Sequence, residues 1–94
     1  MKIRWLRTAL RNLDEQAGYI ASDNPEVAVR IVARVRGAIE RLARHPSLGR
    51  PGRVPGAREL VVSGTPFVIP YRVRGGQVEI LRVFHGAQRW PEEF

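Results

Sequence analysis

The C-terminal third of the chain alternates short apolar runs with turn-type sequences, which is typical of an antiparallel sheet. β-branched and aromatic residues fill three such runs, at 58–62, 67–73 and 78–84. Glycine-containing segments at 63–66 and 74–77 separate these runs and are typical of tight turns. The pattern predicts three antiparallel strands. The third is expected to lie centrally, because most of its side chains are apolar.

The N-terminal half carries apolar residues at helical spacing. Residues 3–6 alternate apolar and polar side chains and predict a first strand. Thr8 is then expected to cap a helix, because its hydroxyl can accept a hydrogen bond from a free backbone amide. The apolar stripe of this helix is Leu10, Leu13, Ala17 and Ile20. Asn24 and Pro25 suit the start of a second helix, which is expected to extend to about Arg44.

Two amphipathic helices and one small sheet can bury their apolar faces only against each other. The second helix contributes a wide apolar face made of Ala28, Ile31, Val32, Val35, Ala38, Ile39 and Leu42. Segment 47–57 is rich in glycine, proline and arginine, so it is expected to be a basic surface loop without regular structure. The sequence therefore predicts a single two-layer α+β domain over residues 1–94, with the element order β-α-α-β-β-β.

The formal charge of +7 favours an acidic partner. Arginine supplies all of the 16 basic residues except Lys2. Nucleic acid, the ribosome or an acidic protein segment would each suit such a surface, and a merely solvated basic surface is the alternative.

The composition excludes several classes of site. There is no cysteine, so the chain has neither disulfides nor cysteine-based zinc sites. His45 and His85 lack the spacing of metal ligands, and we expect no metal and no cofactor. No apolar run reaches the length of a membrane span, and the N-terminus does not resemble a signal peptide. We expect a cytoplasmic protein that does not contact membranes.

Basic residues concentrate on the predicted sheet and on the tail that follows it. These residues are Arg58, Arg72, Arg74, Arg82, His85 and Arg89. Strand alternation places Arg72 and Arg74 on one face, which indicates an anion-binding surface opposite the helices. The alternative is that these arginines are simply the solvent side of a half-covered sheet.

Four residues with ring side chains could have a structural or a chemical role. His85 could act as a general acid or base, or its ring could bond a backbone group and fix the tail. Trp90 is expected to pack the tail back onto the domain while Arg89 points outward. Trp5 and Tyr71 are expected to be core aromatics, although the hydroxyl of Tyr71 could reach the open face.

Taken together, the ordered segments resemble the toxins of the RelE/ParE superfamily, which belong to type II toxin–antitoxin modules. The resemblance covers almost the whole chain. It is carried by ALRNLD at 9–14, YIA at 19–21, DNP at 23–25, LARHPSLGR at 42–50, RELV at 58–61, FVIPYRV at 67–73 and VEILRVFHG at 78–86.

The resemblance implies one of two activities. RelE-like members cut mRNA on the ribosome, and this activity would make Arg58, His85 and Arg89 the catalytic residues. ParE-like members inhibit DNA gyrase, and the arginines expected to bind the target are Arg72, Arg74, Arg82 and Arg89.

Three departures from the RelE-like pattern favour ParE. Segment 67–70 is apolar where RelE-like nucleases carry an arginine before the tyrosine, and the lysines of the preceding strand are missing. Phe94 is aromatic but has no hydroxyl. The long helical hairpin and the closure at 46–50 are also ParE-like.

The resemblance also implies partners. A small ParD-like antitoxin is expected to neutralise the protein, and operator DNA is expected to be bound only through the toxin–antitoxin complex. A third interpretation is a chain that has lost toxicity and survives as an antitoxin-binding co-repressor.

Overall fold

The computed structural model describes all 94 residues and places two helices against a mixed six-stranded sheet. The predicted two-layer α+β fold with its β-α-α-β-β-β order is confirmed, with two further short strands. In chain order the elements are β1 (Lys2–Trp5), α1 (Arg7–Asp23), α2 (Pro25–Glu40), a 3₁₀ turn (Arg41–Ala43), β2 (Arg50–Pro51), β3 (Arg58–Val61), β4 (Phe67–Arg74), β5 (Gln77–Ile80) and β6 (Phe84–His85).

Strand β4 is the centre of the sheet. The strand order is β1-β5-β4-β3-β2, and β6 pairs with the first residues of β4. Only β1 runs parallel to its neighbour, with Ile3 opposite Val78. A parallel pair needs a long connection, and here the chain between β1 and β5 includes both helices and strands β2 to β4. Neither helix has the length and apolar character to span a bilayer.

The core lies between the helices and one face of the sheet. Tyr71 and Ile80 are completely buried there, and the partly buried Trp5 packs against this core. The predicted helical stripe is correct in part, because Leu13 is buried but Leu10 is 41% exposed. Ala9 is fully buried instead, so the buried face of α1 is rotated by one residue from the predicted stripe.

The prediction that Thr8 caps α1 is wrong. The helix begins at Arg7 with Leu6 at its N-cap position and no side-chain cap. The Leu6 amide donates to the Ile80 carbonyl (3.0 Å), while its carbonyl accepts from the Leu10 amide (3.1 Å). The last bond of the sheet thus sits directly beside the first turn of the helix. The second cap is as predicted, because Asn24 Oδ1 accepts from a backbone amide in the first turn of α2.

The expected third strand is interrupted. Strand β5 ends at Ile80, and the Leu81 amide makes one more bond, to the Pro70 carbonyl at 3.0 Å. Proline has no amide to return that bond, so the ladder stops there. The Val83 amide instead donates a hydrogen bond to Asn12 Oδ1 at 3.2 Å. Pairing with β4 resumes only in β6.

The expectation of an irregular surface loop at 47–57 is wrong in part. Strand β2 lies within it and pairs with β3, which places Arg50 opposite Glu59. Val54 and Ala57 are buried and form a small second cluster with Leu81. The segment therefore folds over the side of the sheet that the helices leave uncovered.

Candidate target-binding face of the sheet

The face of the sheet opposite the helices carries two buried carboxylates, and we refer to it as the helix-free face. Glu59 on β3 and Glu79 on β5 are 3% and 2% exposed. Their neighbours Leu60 and Ile80 point into the core on the other side, as strand alternation requires. A buried carboxylate needs charged or hydrogen-bonding partners, and arginines supply them for both.

Glu79 contacts three arginines, which lie on the two strands that flank β5. Arg72 and Arg4 stand directly opposite it on β4 and β1. Nitrogen–oxygen distances are 2.8 Å to Arg72, 3.2 Å to Arg74 and 3.3 Å to Arg4. The hydrogen bond from Arg72 lowers the pKa of Glu79 below its usual range against the opposing effect of burial, and Arg74 and Arg4 add to the lowering. Arg72 and Arg74 share one face, as predicted.

Glu59 fastens segment 50–57 to the sheet. Arg53 reaches it with both its backbone amide (2.7 Å) and its side-chain Nε (3.0 Å). Arg50 adds a contact of 3.1 Å. Burial alone would raise the pKa of Glu59, but the hydrogen bonds from Arg53 and Arg50 outweigh it, and the pKa is lowered.

Ion pairing does not neutralise this face. Five guanidinium groups meet two carboxylates, so three positive charges are in excess. Arg74 and Arg4 keep 64% and 60% of their side chains exposed. The face can therefore attract an acidic surface. The buried carboxylates fix the positions of its arginine side chains.

The sequence pattern did not predict these carboxylate–arginine clusters, because Glu59 and Glu79 look like ordinary solvent-side residues of alternating strands. The available signal was the strand register. Once β4 and β5 are aligned through the turn at 75–76, Glu79 must face Arg72.

Tyr71 is a core aromatic, as predicted, and Arg58, which was expected on the open face, lies beside it on the helix side. The Tyr71 hydroxyl donates to the Pro46 carbonyl (2.7 Å) and accepts from the Gly49 amide (2.8 Å). Burial raises the pKa of Tyr71, so the hydroxyl keeps its proton. Arg58 donates to the Gly49 carbonyl at 2.8 Å. Both residues hold segment 46–49, which follows the 3₁₀ turn, and the Tyr71 hydroxyl does not reach the open face.

His85 is exposed, and its ring fixes the tail. Nδ1 accepts from the Ala87 amide at 3.2 Å, and the ring lies edge-on to Phe67 at 6.2 Å. This agrees with the backbone-bonding interpretation, although the ring is not buried. Register places His85 opposite Phe67 and Arg58 opposite Tyr71, so the two are about 13 Å apart along β4. The structure does not bring them into one cluster.

The tail returns to the domain through aromatic contacts. Trp90 packs on Phe84 with ring centroids 4.9 Å apart, and Arg89 is exposed, as predicted. Arg82 donates to the carbonyl of Leu81 (2.7 Å) and lies 5.3 Å from the Phe94 ring. No group of three or more acidic or histidine side chains is arranged to hold a metal ion.

Comparison with known proteins agrees with this architecture. Residues 3–90 match the family described as the ParE toxin of the type II toxin–antitoxin system parDE. Y4kP of Sinorhizobium fredii is 50% identical over 97% of this chain and 94% of its own length. Toxin RelE2 of Caulobacter vibrioides is 37% identical over 93% of this chain and 97% of its own length.

Two solved structures share the fold. The chromosomal ParDE system of P. aeruginosa superimposes with a TM-score of 0.80 at 33% identity, covering 90% of this chain and 95% of the other. The toxin–antitoxin complex RelBE2 of Mycobacterium tuberculosis gives a TM-score of 0.58 at 26% identity, covering 89% and 95%. The match over nearly all its length, together with the shared two-layer fold, shows that the chain belongs to the ParE toxin family of type II toxin–antitoxin systems, within the RelE/ParE superfamily.

Proposed function

We propose that this toxin arrests growth by inhibiting DNA gyrase. The observation that carries the proposal is the apolar start of β4, since Phe67, Val68, Ile69 and Pro70 are all buried. RelE-like nucleases place an arginine there. The same four residues in this chain hold the core and the tail, and they offer no group for cleaving RNA.

The positions of the nuclease candidates support the same choice. Arg58 is bound to the carbonyl of Gly49, and His85 lies about 13 Å away along β4. General acid–base catalysis needs its groups within hydrogen-bond reach of one substrate. Arg58 and His85 do not satisfy that requirement together.

The helix-free face is the surface proposed to meet the target. Arg72 and Arg74 contribute to its excess positive charge, and Arg82 and Arg89 extend it towards the tail. A positive patch of this kind speeds encounter with an acidic protein surface and becomes less effective as salt screens it.

An antitoxin is proposed to cover a different surface, the groove between the two helices. Val29 is 71% exposed there, which is unusual for a large apolar side chain beside a packed hairpin. The groove is lined by Ala17, Gly18, Ala21, Pro25, Ala28, Val29, Val32, Ala33 and Arg36. An amphipathic helix of a ParD-like antitoxin would fit it, with acidic residues facing the basic domain.

A direct comparison of the two activities tests the target. The purified protein is expected to block supercoiling by gyrase and to leave mRNA intact on programmed ribosomes. Codon-specific cuts in ribosome-bound mRNA would contradict the proposal and direct attention to Arg58, His85 and Arg89. A protein inactive in both assays that still binds its antitoxin would indicate a co-repressor.

The antitoxin surface is tested by substituting an exposed residue that cannot disturb the core. Val29→Glu should weaken binding of the small protein encoded beside this toxin, because it places a charge in the groove. Val61→Glu is the matched control, since Val61 is 51% exposed but lies on β3. Equal binding by both variants in calorimetry would show that the groove is not used.

A further inference from the structure

The last six residues, 89–94, are held to the domain by rings alone, and we refer to them as the strap. No hydrogen bond or ion pair joins any of them to another residue. The preceding residues are fixed differently, since the Gly86 amide donates to Pro66 and the His85 amide donates to Gln88. The strap thus begins where the hydrogen bonding ends.

Arg53 makes the shorter of the two arginine–ring contacts with the strap. The Arg53 guanidinium carbon lies 3.7 Å from the centre of the Trp90 ring, while its Nε contacts Glu59 at 3.0 Å. Arg53 therefore links the buried carboxylate of β3, segment 50–57 and the strap. Glu59 determines the position of the guanidinium, because it binds both the side chain and the backbone amide of Arg53.

One polar group of the strap makes no hydrogen bond when the strap lies on the domain. Trp90 Nε1 is buried without a hydrogen-bond partner. A buried donor without a partner is costly, and exposure to water would remove that cost. Burial of the Trp90 and Phe94 rings opposes opening. A segment with these opposing contributions and no hydrogen bonds is suited to opening while the rest of the domain stays folded.

We propose that the strap opens and closes on the folded domain, that Arg53 is its clasp, and that Glu59 holds the clasp in place. Opening removes Phe94 from the cluster of Val54, Ala57 and Leu81, and so uncovers an apolar surface. That surface adjoins Arg72, which lines the same cleft. Any effect of the strap on target binding rests on the proposed function, whereas the opening itself does not.

Quenching of Trp90 fluorescence by acrylamide tests the proposal in the full-length protein. Trp5→Phe makes Trp90 the only indole, since the chain has two tryptophans. Arg53→Ala should raise the open-to-closed ratio about two- to thirtyfold, which is the range expected for loss of one cation–π contact. Arg50→Ala is the matched control, because Arg50 pairs with Glu59 at 3.1 Å but does not cover Trp90.

The lysine variants control for the possibility that an alanine variant simply unfolds. Arg53→Lys keeps the charge beside Glu59 but loses the planar group that stacks on the indole, so its quenching should also exceed that of Arg50→Lys. Equal quenching in the Arg53 and Arg50 series would overturn the proposal. A wild-type Trp90 as accessible as in a free tail peptide would also overturn it. Because these measurements need no gyrase, they can succeed or fail independently of the proposed function.

Discussion

The two faces of this sheet are stabilised by different interactions, although they share the same strands. The helix side is an apolar core in which Tyr71 and Ile80 are fully buried. The helix-free side buries Glu59 and Glu79 under arginines, and its cover is a loop and a tail instead of helices. Neighbouring residues on one strand, such as Glu59 and Leu60, therefore belong to different environments.

We propose that the two faces have different roles, the helix side in stability and the helix-free side in binding. Burial of apolar surface is the main favourable contribution to folding and does not depend on the ionisation of side chains. Ion pairs with exposed arginines contribute less to stability but leave charge available at the surface. The helix side is suited to holding the fold, and the helix-free side to meeting a partner.

The largest effect is expected on the helix side of β3. Leu60 is 6% exposed and belongs to the core, so Leu60→Ala should reduce the free energy of unfolding by about 2–5 kcal/mol. Urea denaturation followed by circular dichroism measures this loss. A loss similar to that of a surface variant would show that the sheet edge relaxes around the missing side chain, and the contrast between the faces would disappear.

The neighbouring carboxylate should have a smaller effect that depends on pH. The folded protein lowers the pKa of Glu59, so its stabilising contribution is present above the ordinary carboxylate range near about 4.3 and is lost as the pH falls through the folded value. Glu59→Gln should cost about 1.5–3 kcal/mol at neutral pH, because it weakens charged hydrogen bonds.

Denaturation midpoints between pH 7 and pH 3 distinguish this contribution from a packing effect. The stability difference between wild type and Glu59→Gln should shrink as the solution becomes acidic, because protonation removes the same charge. Leu60→Ala is the control, since its difference from wild type should stay nearly constant. A pH-independent difference for Glu59→Gln would assign the residue a packing role.

The same contrast explains which parts of the molecule the sequence predicted. Helical spacing identified Leu13 and the buried face of α2, because burial against one layer imposes a local period. The carboxylate clusters depend on which strands are neighbours, and β1 and β5 are far apart in sequence. The interruption after Ile80 depends on Pro70 in the facing strand, so it follows from pairing and not from the local pattern.

The candidate site was predicted in part for the same reason. Alternation alone placed Arg72 and Arg74 on one face, and the tail's Trp90 followed from its position beside Pro91. Arg53 was not identified, because nothing in a loop rich in glycine and proline indicates that its arginine stacks on an indole. Side chains that meet only through tertiary packing give no periodic signal.

Trp90 should contribute modestly to stability on the helix-free side. Trp90→Ala is expected to cost about 1–2 kcal/mol, below the ~3–5 kcal/mol typical of a buried aromatic. The ring is only partly buried, and the substitution also removes an unsatisfied indole donor. Thermal melts measure the cost. A loss as large as that of Leu60→Ala would show that the tail is an integral part of the core.

Arg89 should have the smallest effect on the fold. It is exposed and makes no hydrogen bond or ion pair, so Arg89→Ala should change the free energy of unfolding by no more than about 0.5 kcal/mol. If the tail touches the target, the same substitution should weaken growth arrest, because a positive charge leaves the proposed binding surface.

The adjacent pair Arg89→Ala and Trp90→Ala therefore separates binding from folding within two residues. Thermal melts and a growth-arrest assay on both variants give the answer. Growth arrest weakened by Arg89→Ala without a change in melting would place the arginine at the contact with the target. If Arg89→Ala instead melts as early as Trp90→Ala, the arginine is structural, and the proposed binding surface does not extend from the helix-free face onto the tail.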